Sequence, residues 1–278
     1  VIGFGGILVM NESADDSSRV TAKAIDAGIN YFDVAPDYGN AQQMLGPALK
    51  PYRKDVFLAC KTHERSAKGA HADLENSLQL LKTDHFDLYQ LHAMTTKEEV
   101  EEVLGPGGAM EVLQKAREKG QARFLGFSGH SEEAVLALMD AFDFNSIMIP
   151  LSWATYLGGD FGKRALPTAR GKGMAVLALK ALAKKAVPEG QEKPYEKAWY
   201  HPVKNYKEAL SGLRFTLGLE GVTAAVSPGE EKLFDWMLEA EKNCSPLSDD
   251  EIKTLEEKSK GIDLIFSANE RPWHQSFG

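Results

Sequence analysis

Short apolar runs alternate with longer amphipathic stretches along the chain. The runs fall at 1–6, 30–35, 56–61, 86–92, 123–128, 146–151, 174–179 and 222–226. Compact runs of this kind, without polar alternation, predict strands buried on both faces. Between them apolar residues recur every three or four positions, as at Val20, Ala24 and Ala27 or at Leu74, Leu78 and Leu81. That spacing predicts helices with one buried face. Helices are expected at 17–27, 42–49, 70–81, 109–119, 132–141, 161–170 and 206–217, with two more near 232–241 and 248–259. Gly28, Gly120 and Gly171 serve as stops, and Ser131 as an N-cap. Strict alternation of strand and helix predicts a parallel sheet covered by helices. Eight such units predict closure into a single-domain (β/α)8 TIM barrel spanning 1–278, with extra helices near its C-terminal end. An open doubly wound sheet is the alternative.

Two segments interrupt the rhythm. Residues 94–108 read as a polar, acidic connection. Residues 183–204 form a long loop carrying Pro188, Pro194, Tyr195, Trp199, Tyr200 and His201. Loops of that length on a barrel's C-terminal face commonly shape a pocket or close over a ligand, with a packed surface excursion as the lesser alternative.

The predicted strands end on chemically active groups. The second carries Asp33 inside an apolar run, and Pro36 breaks it before Tyr38. A buried unpaired carboxylate is costly, so a cation is expected to meet it. The third strand ends on Lys61 and the fourth on His92. Neighbouring strands of a parallel barrel present their C-terminal ends to one face. Asp33, Tyr38, Lys61 and His92 are therefore expected at one pocket mouth.

That set suits proton transfer to a carbonyl oxygen. Tyr38 would be the acid, and a nearby ammonium, Lys61, would lower its ordinary value near pH ~10. Asp33 would orient Lys61, and His92 would orient the oxygen or relay the proton. If the reaction at that oxygen is a reduction, it also needs a hydride donor; no side chain donates hydride, so a nicotinamide cofactor would supply it.

Composition narrows the classes. A net charge of −8 argues against a broad nucleic-acid surface. No apolar stretch reaches the roughly 20 residues of a membrane helix. Two cysteines, Cys60 and Cys244, make no disulfide framework, so a reducing, cytoplasmic setting is the simplest reading. The sequence starts at Val1 rather than Met, which leaves a preceding targeting segment open.

The chain resembles the aldo-keto reductases over nearly its whole length. The resemblance is carried by G-F-G-G at 3–6, F-D-V-A-P-D-Y-G at 32–39, A-C-K-T at 59–62, D-L-Y-Q-L-H at 87–92, G-F-S-G-H at 126–130 and P-G at 228–229. It implies that Asp33, Tyr38, Lys61 and His92 are a catalytic tetrad, that the substrate is a small carbonyl compound, and that the cofactor is NADP(H), with NAD(H) the alternative. It also implies cofactor contacts at Ser128, Gly129, His130, Lys180, Pro228, Gly229 and Lys232. The chain departs from the family pattern where a Ser-Asn pair usually holds the nicotinamide amide, having Ser128, Gly129 and His130 there. Met148 stands in place of a glutamine, and Leu179 in place of a stacking tyrosine. The strand at 174–179 resembles a bacterial branch that often carries an iron–sulfur cluster, but two cysteines are too few for one.

Glu230 and Glu231 stand where cations would meet a 2′-phosphate, so weak NADPH selectivity is expected, with Glu231→Arg tightening NADPH binding. The aromatic tail residues Trp273 and Phe277 are expected to cover the pocket or pack on the barrel wall. Two other readings are a cofactor-holding sensor or subunit with little turnover and a metal-dependent barrel hydrolase. The second would gather His63, His71, His92 and His130, but no paired histidines stand on the first strand and no carboxylate cluster suits a divalent ion.

Overall fold

A computed structural model describes residues 1–188 and 190–268; the expectation for Trp273 and Phe277 lies outside them. Eight parallel strands close a barrel in the order β1-β10-β7-β6-β5-β4-β3-β2. They are β1 (Ile2–Gly5), β2 (Tyr31–Asp33), β3 (Phe57–Thr62), β4 (Phe86–Met94), β5 (Ala122–Gly129), β6 (Ser146–Pro150), β7 (Ala175–Leu179) and β10 (Val222–Val226). The open-sheet alternative is excluded by the seam, where Ile2 pairs with Ala225 and Gly3 with Val226. That seam leaves little room. A Cβ on Gly5 would lie 2.4 Å from the Ser227 carbonyl oxygen, which accounts for glycine there.

Helices α1 (Ala14–Asp26), α2 (Ala41–Leu49), α3 (Ala67–Leu80), α4 (Lys97–Leu104), α5 (Ala109–Glu118), α6 (Glu132–Ala141), α7 (Ala165–Gly171), α8 (Tyr206–Gly218) and α9 (Glu231–Glu241) follow the strands, and α10 (Asp249–Ser259) is appended. Their starts are chemically marked. Ser13, Ser66, Ser131, Asn205 and Ser248 each accept a first-turn N–H. Such caps contribute about 1 kcal/mol apiece. The outward-facing strand residues pack against the helices in one large apolar core. The inward-facing ones, including Ala59, Leu88, Met148, Leu177 and Ala224, fill the barrel. No helix among the described residues is long and apolar enough to cross a membrane.

Three features differ from the sequence reading. The acidic connection contains α4, started by a reciprocal capping box between Thr96 and Glu99, with Val100 and Val103 buried beneath it. The long loop contains a two-stranded antiparallel hairpin, β8 (Ala183–Ala186) with β9 (Tyr200–Pro202). The helix expected from 161 starts at Ala165, preceded by a π-helical turn at Ala154–Gly158.

Candidate active site

Strand periodicity explains how the polar groups meet. Successive side chains alternate between the two faces. Tyr31 and Asp33 on β2 therefore share the inward face, as do Phe57, Ala59 and Lys61 on β3 and Leu88, Gln90 and His92 on β4. Asp33 and Lys61 are 1% and 0% exposed. The Lys61 ammonium donates to Asp33 Oδ2, and Gln90 Nε2 donates to Asp33 Oδ1 at 3.3 Å. The cation that the buried carboxylate required is thus Lys61. Burial pulls the Lys61 ammonium toward neutrality, but Asp33 and Tyr38 outweigh that and hold it protonated.

Tyr38 follows β2 and sits over this pair, with Lys61 Nζ 5.2 Å from its ring centre. Its ring meets that of His92 edge-on, with centres 5.7 Å apart. The sequence expectation for its acidity needs correction. Lys61 does favour the phenolate, but burial is larger and acts the other way, and Asp33 and Asp37 add to it. The net shift is upward, so the phenol is neutral at neutral pH.

His92 is held from several sides. Arg65 donates to the His92 carbonyl at 2.9 Å and to the Ala93 carbonyl at 3.3 Å, and is itself anchored by Glu99 at 3.0 Å. The helix α4 thus fixes the end of β4. Ala93 turns with φ 53°, and its N–H donates to Ser128 Oγ at 2.8 Å. His63 places its ring 5.7 Å from that of His92. Asp37, which the sequence reading passed over, brings Oδ1 to 3.1 Å from His92 Nδ1. Its position in A-P-D-Y, one residue before the candidate acid, was the available signal.

A cavity of about 80 Å³ opens beside these groups. Asp33, Tyr38 and His92 line it together with His130, Leu179 and Lys180 and with Ser227, Pro228 and Gly229. Of the expected cofactor residues, His130, Lys180, Pro228 and Gly229 line it; Ser128, Gly129 and Lys232 do not. Gly129 packs against Val135 and Met94. The Lys232 ammonium lies 5.2 Å from the Trp236 ring centre. Met148 is buried in the barrel interior. Lys180 sits over the rings of Trp199 and Tyr200 at 4.8 and 5.3 Å, and burial lowers its ammonium to about 8. No carboxylate is paired with it among the described residues. His130 lies against Phe266, with centres 4.9 Å apart, and burial pushes its imidazole well below the usual range.

The segment between β8 and β9 contributes Lys197 and Trp199 to the cavity lining. Lys197 Nζ donates to the Leu8 carbonyl at 2.9 Å and to Glu12 at 2.5 Å, while its backbone N–H donates to Glu230 at 2.8 Å. The first turn of α9 has no side-chain cap; Leu233 N–H donates to the Glu230 carbonyl at 3.0 Å, which leaves, among the described residues, the N–H groups of Glu231 and Lys232 to meet an anion. In chemistry this donor set suits a nicotinamide dinucleotide, of which a cavity of about 80 Å³ would enclose only part: polar groups at Tyr38 and His92, the Lys180 ammonium without a carboxylate among the described residues, and the N–H groups that start α9. Cys60 is fully buried, its thiol pushed up to about 12 by burial. Among the described residues no three histidine, cysteine or acidic side chains are grouped to hold a metal.

Comparison with known proteins agrees with this geometry. The chain is 27% identical over 161 residues to the uncharacterized oxidoreductase YqkF of Bacillus subtilis, covering 53% of this chain and 51% of that one. It is 26% identical over 198 residues to L-galactose dehydrogenase of Arabidopsis thaliana, covering 66% and 61%. The matches thus span little more than half the length of these curated relatives. Among solved structures, the holo form of aldo-keto reductase AKR11C1 from Bacillus halodurans superposes with TM-score 0.71 at 21% identity, covering 97% of this chain and 95% of that one. An aldo-keto reductase from Klebsiella pneumoniae in complex with NADPH superposes with TM-score 0.70 at 20% identity, covering 99% and 94%. These two establish the likeness of fold. The model of the aldo/keto reductase family matches residues 1–260, and the chain belongs to that family.

Proposed function

We propose that the protein reduces a small aldehyde or ketone to an alcohol, with NADP(H) as the favoured cofactor and Tyr38 as the proton donor. The observation that carries this reading is the buried Lys61–Asp33 pair beneath Tyr38, with His92 beside it at the cavity. A bound nicotinamide cofactor would supply the hydride. Tyr38 gives its proton to the carbonyl oxygen, and the Lys61 ammonium stabilises the phenolate left behind. Asp33 and Gln90 keep that ammonium in place, and His92 steadies the oxygen as it gains charge. His130, Lys180, Pro228 and Gly229 would hold the cofactor, with the phosphates near the start of α9.

Titration with NADPH and NADH by fluorescence, followed by a panel of carbonyl compounds, tests the reading directly. Cofactor binding with turnover that survives dialysis against a chelator is expected. Metal analysis showing stoichiometric zinc or iron at His63, His92 or His130 would overturn that expectation. The sensor reading is supported by the altered amide-binding positions: Ser128 Oγ is committed to the Ala93 N–H, and Gly129, followed by His130, stands where the Ser-Asn pair would have its asparagine. Binding without turnover across the panel would favour that reading.

Cofactor choice turns on Glu231. The sequence suggests an unopposed carboxylate there, but Arg19 of α1 binds both its oxygens, at 2.7 and 2.9 Å, and Lys23 reaches it at 3.2 Å. The Arg19 guanidinium holds the Glu231 carboxyl at about 2. Glu231→Arg would therefore confront two cations, so the tightening expected from the sequence is withdrawn. Glu231→Gln should instead release Arg19 toward an incoming phosphate, while Lys23 stays paired with Asp235. Parent selectivity for NADPH over NADH is expected at about tenfold or less, and Glu231→Gln should raise it by strengthening NADPH binding alone. Strong parental selectivity that ignores the substitution would place the phosphate elsewhere, with Lys184 or Lys185 of the hairpin as candidates.

A further inference from the structure

We propose that Asp37 is a positioning residue for this reduction: its carboxylate fixes the His92 imidazole and sets a negative charge beside the Tyr38 phenol. The inference rests on the carbonyl-reduction reading and adds a residue outside the tetrad. Asp37 stands in the loop after β2, between Pro36 and Tyr38, with its side chain 18% exposed. Both carboxylate oxygens are shielded from solvent, and neither receives a well-aligned hydrogen bond. A carboxylate in that state is costly unless charge compensates it. Burial would raise Asp37, but His92, His63 and Lys61 outweigh it and hold the group at about 2. Asp37 is therefore ionised over the whole physiological range.

The contact falls on one nitrogen of His92. Oδ1 lies 3.1 Å from Nδ1, which is otherwise without a hydrogen-bond partner among the described residues. The partner of one ring nitrogen decides what the other can do: with Asp37 facing Nδ1, Nε2 is the nitrogen left to meet a carbonyl oxygen. His63 borders the same ring, and the Arg65 clamp fixes the backbone beneath it, so the ring is held from both sides.

The second effect falls on the acid. The charged and titratable groups around Tyr38 are Lys61 from β3, Asp33 from β2, His92 from β4, and Asp37 from its own loop. Asp33 and Asp37 oppose the phenolate and Lys61 favours it. Removing the Asp37 charge therefore shifts that balance toward ionisation and brings Tyr38 ionisation to lower pH.

Asp37→Asn keeps the shape of the side chain and removes its charge. Its kcat for carbonyl reduction is expected to fall by about 10- to 100-fold, by analogy with loss of the carboxylate partner of a metal-bound histidine. KM for NADPH should stay near the parent value. The alkaline limb of the pH–rate profile should move to lower pH, and Asp37→Glu should recover part of kcat. Independently of turnover, nitrogen-15 spectra of histidine-labelled protein should show the His92 Nδ1 signal shifting in Asp37→Asn. If the parent reduces no carbonyl compound, the proposed activity fails while the spectra still read the contact. An Asp37→Asn protein that keeps parental kcat, pH profile and His92 signals would overturn the proposal. Circular dichroism of both variants separates these outcomes from misfolding.

Discussion

Tyr38→Phe is expected to bind NADPH as the parent does and to lose carbonyl reduction by about 10²- to 10⁴-fold, the usual cost of removing a positioned general acid. The substitution deletes one oxygen and leaves the ring against His92 and over Lys61, so packing should survive. Fluorescence titration checks the binding, and steady-state kinetics on one aldehyde checks the rate. Because burial and two carboxylates keep the phenol neutral, the parent should remain competent as an acid through neutral pH and lose activity only toward alkaline pH. A variant within about threefold of the parent would remove Tyr38 from the mechanism, being far short of that usual cost.

The largest expected effect on stability comes from Lys61→Met. The substitution leaves Asp33 ionised inside the barrel with only Gln90 to donate to it. Breaking a buried pair from one side costs about 3–5 kcal/mol, a large part of the roughly 5–15 kcal/mol that holds a domain folded. Without Lys61, burial raises the Asp33 carboxyl unopposed by its main counter-charge. The unfolded chain then ionises first, so the defect should shrink as pH is lowered through the raised value. Pairing Lys61→Met with Asp33→Leu should restore most of the stability and none of the activity, because apolar replacements of a buried pair are often neutral or better. Denaturant unfolding of the parent, the single variant and the double variant gives the comparison. A single variant as stable as the parent would mean that Asp33 is already protonated in the native protein.

Much of the fold was legible because it is written in local periodicity. The strand at 222–226 and the helix at 132–141 fall where the sequence places them, and the strand-end positions of Lys61 and His92 follow from the same alternation. The Gln90 contact was also within reach, since Gln90 shares a strand face with His92. The helix α4 was missed although Thr96 and Glu99 spell its cap; eight residues with only two buried valines make a weak apolar signal. The β8–β9 hairpin was hidden because its strands are short and one carries two lysines. Asp37 and Glu231 were misjudged for another reason. Their partners arrive from other strands and helices, Arg19 from 212 positions away, and no local pattern announces a charge neutralised at that distance.

The barrel seam has a consequence for how the protein reaches its native state. The first strand can pair with its second neighbour only after more than two hundred residues have been made, through Ile2 with Ala225 and Gly5 N–H with Ser227 Oγ. Pairing at such separation is slow, since a long loop must close before the contact is gained. The half-built sheet meanwhile presents open edges that favour aggregation. The cavity straddles this seam, with Gly5 and Ile7 on one bank and Val226 to Gly229 on the other. A dinucleotide lodged there would act as a clasp between the first strand and the last. Binding only the closed form, it stabilises that form in proportion to the logarithm of its concentration, so cellular cofactor supply would govern the lifetime of the folded barrel as well as its turnover.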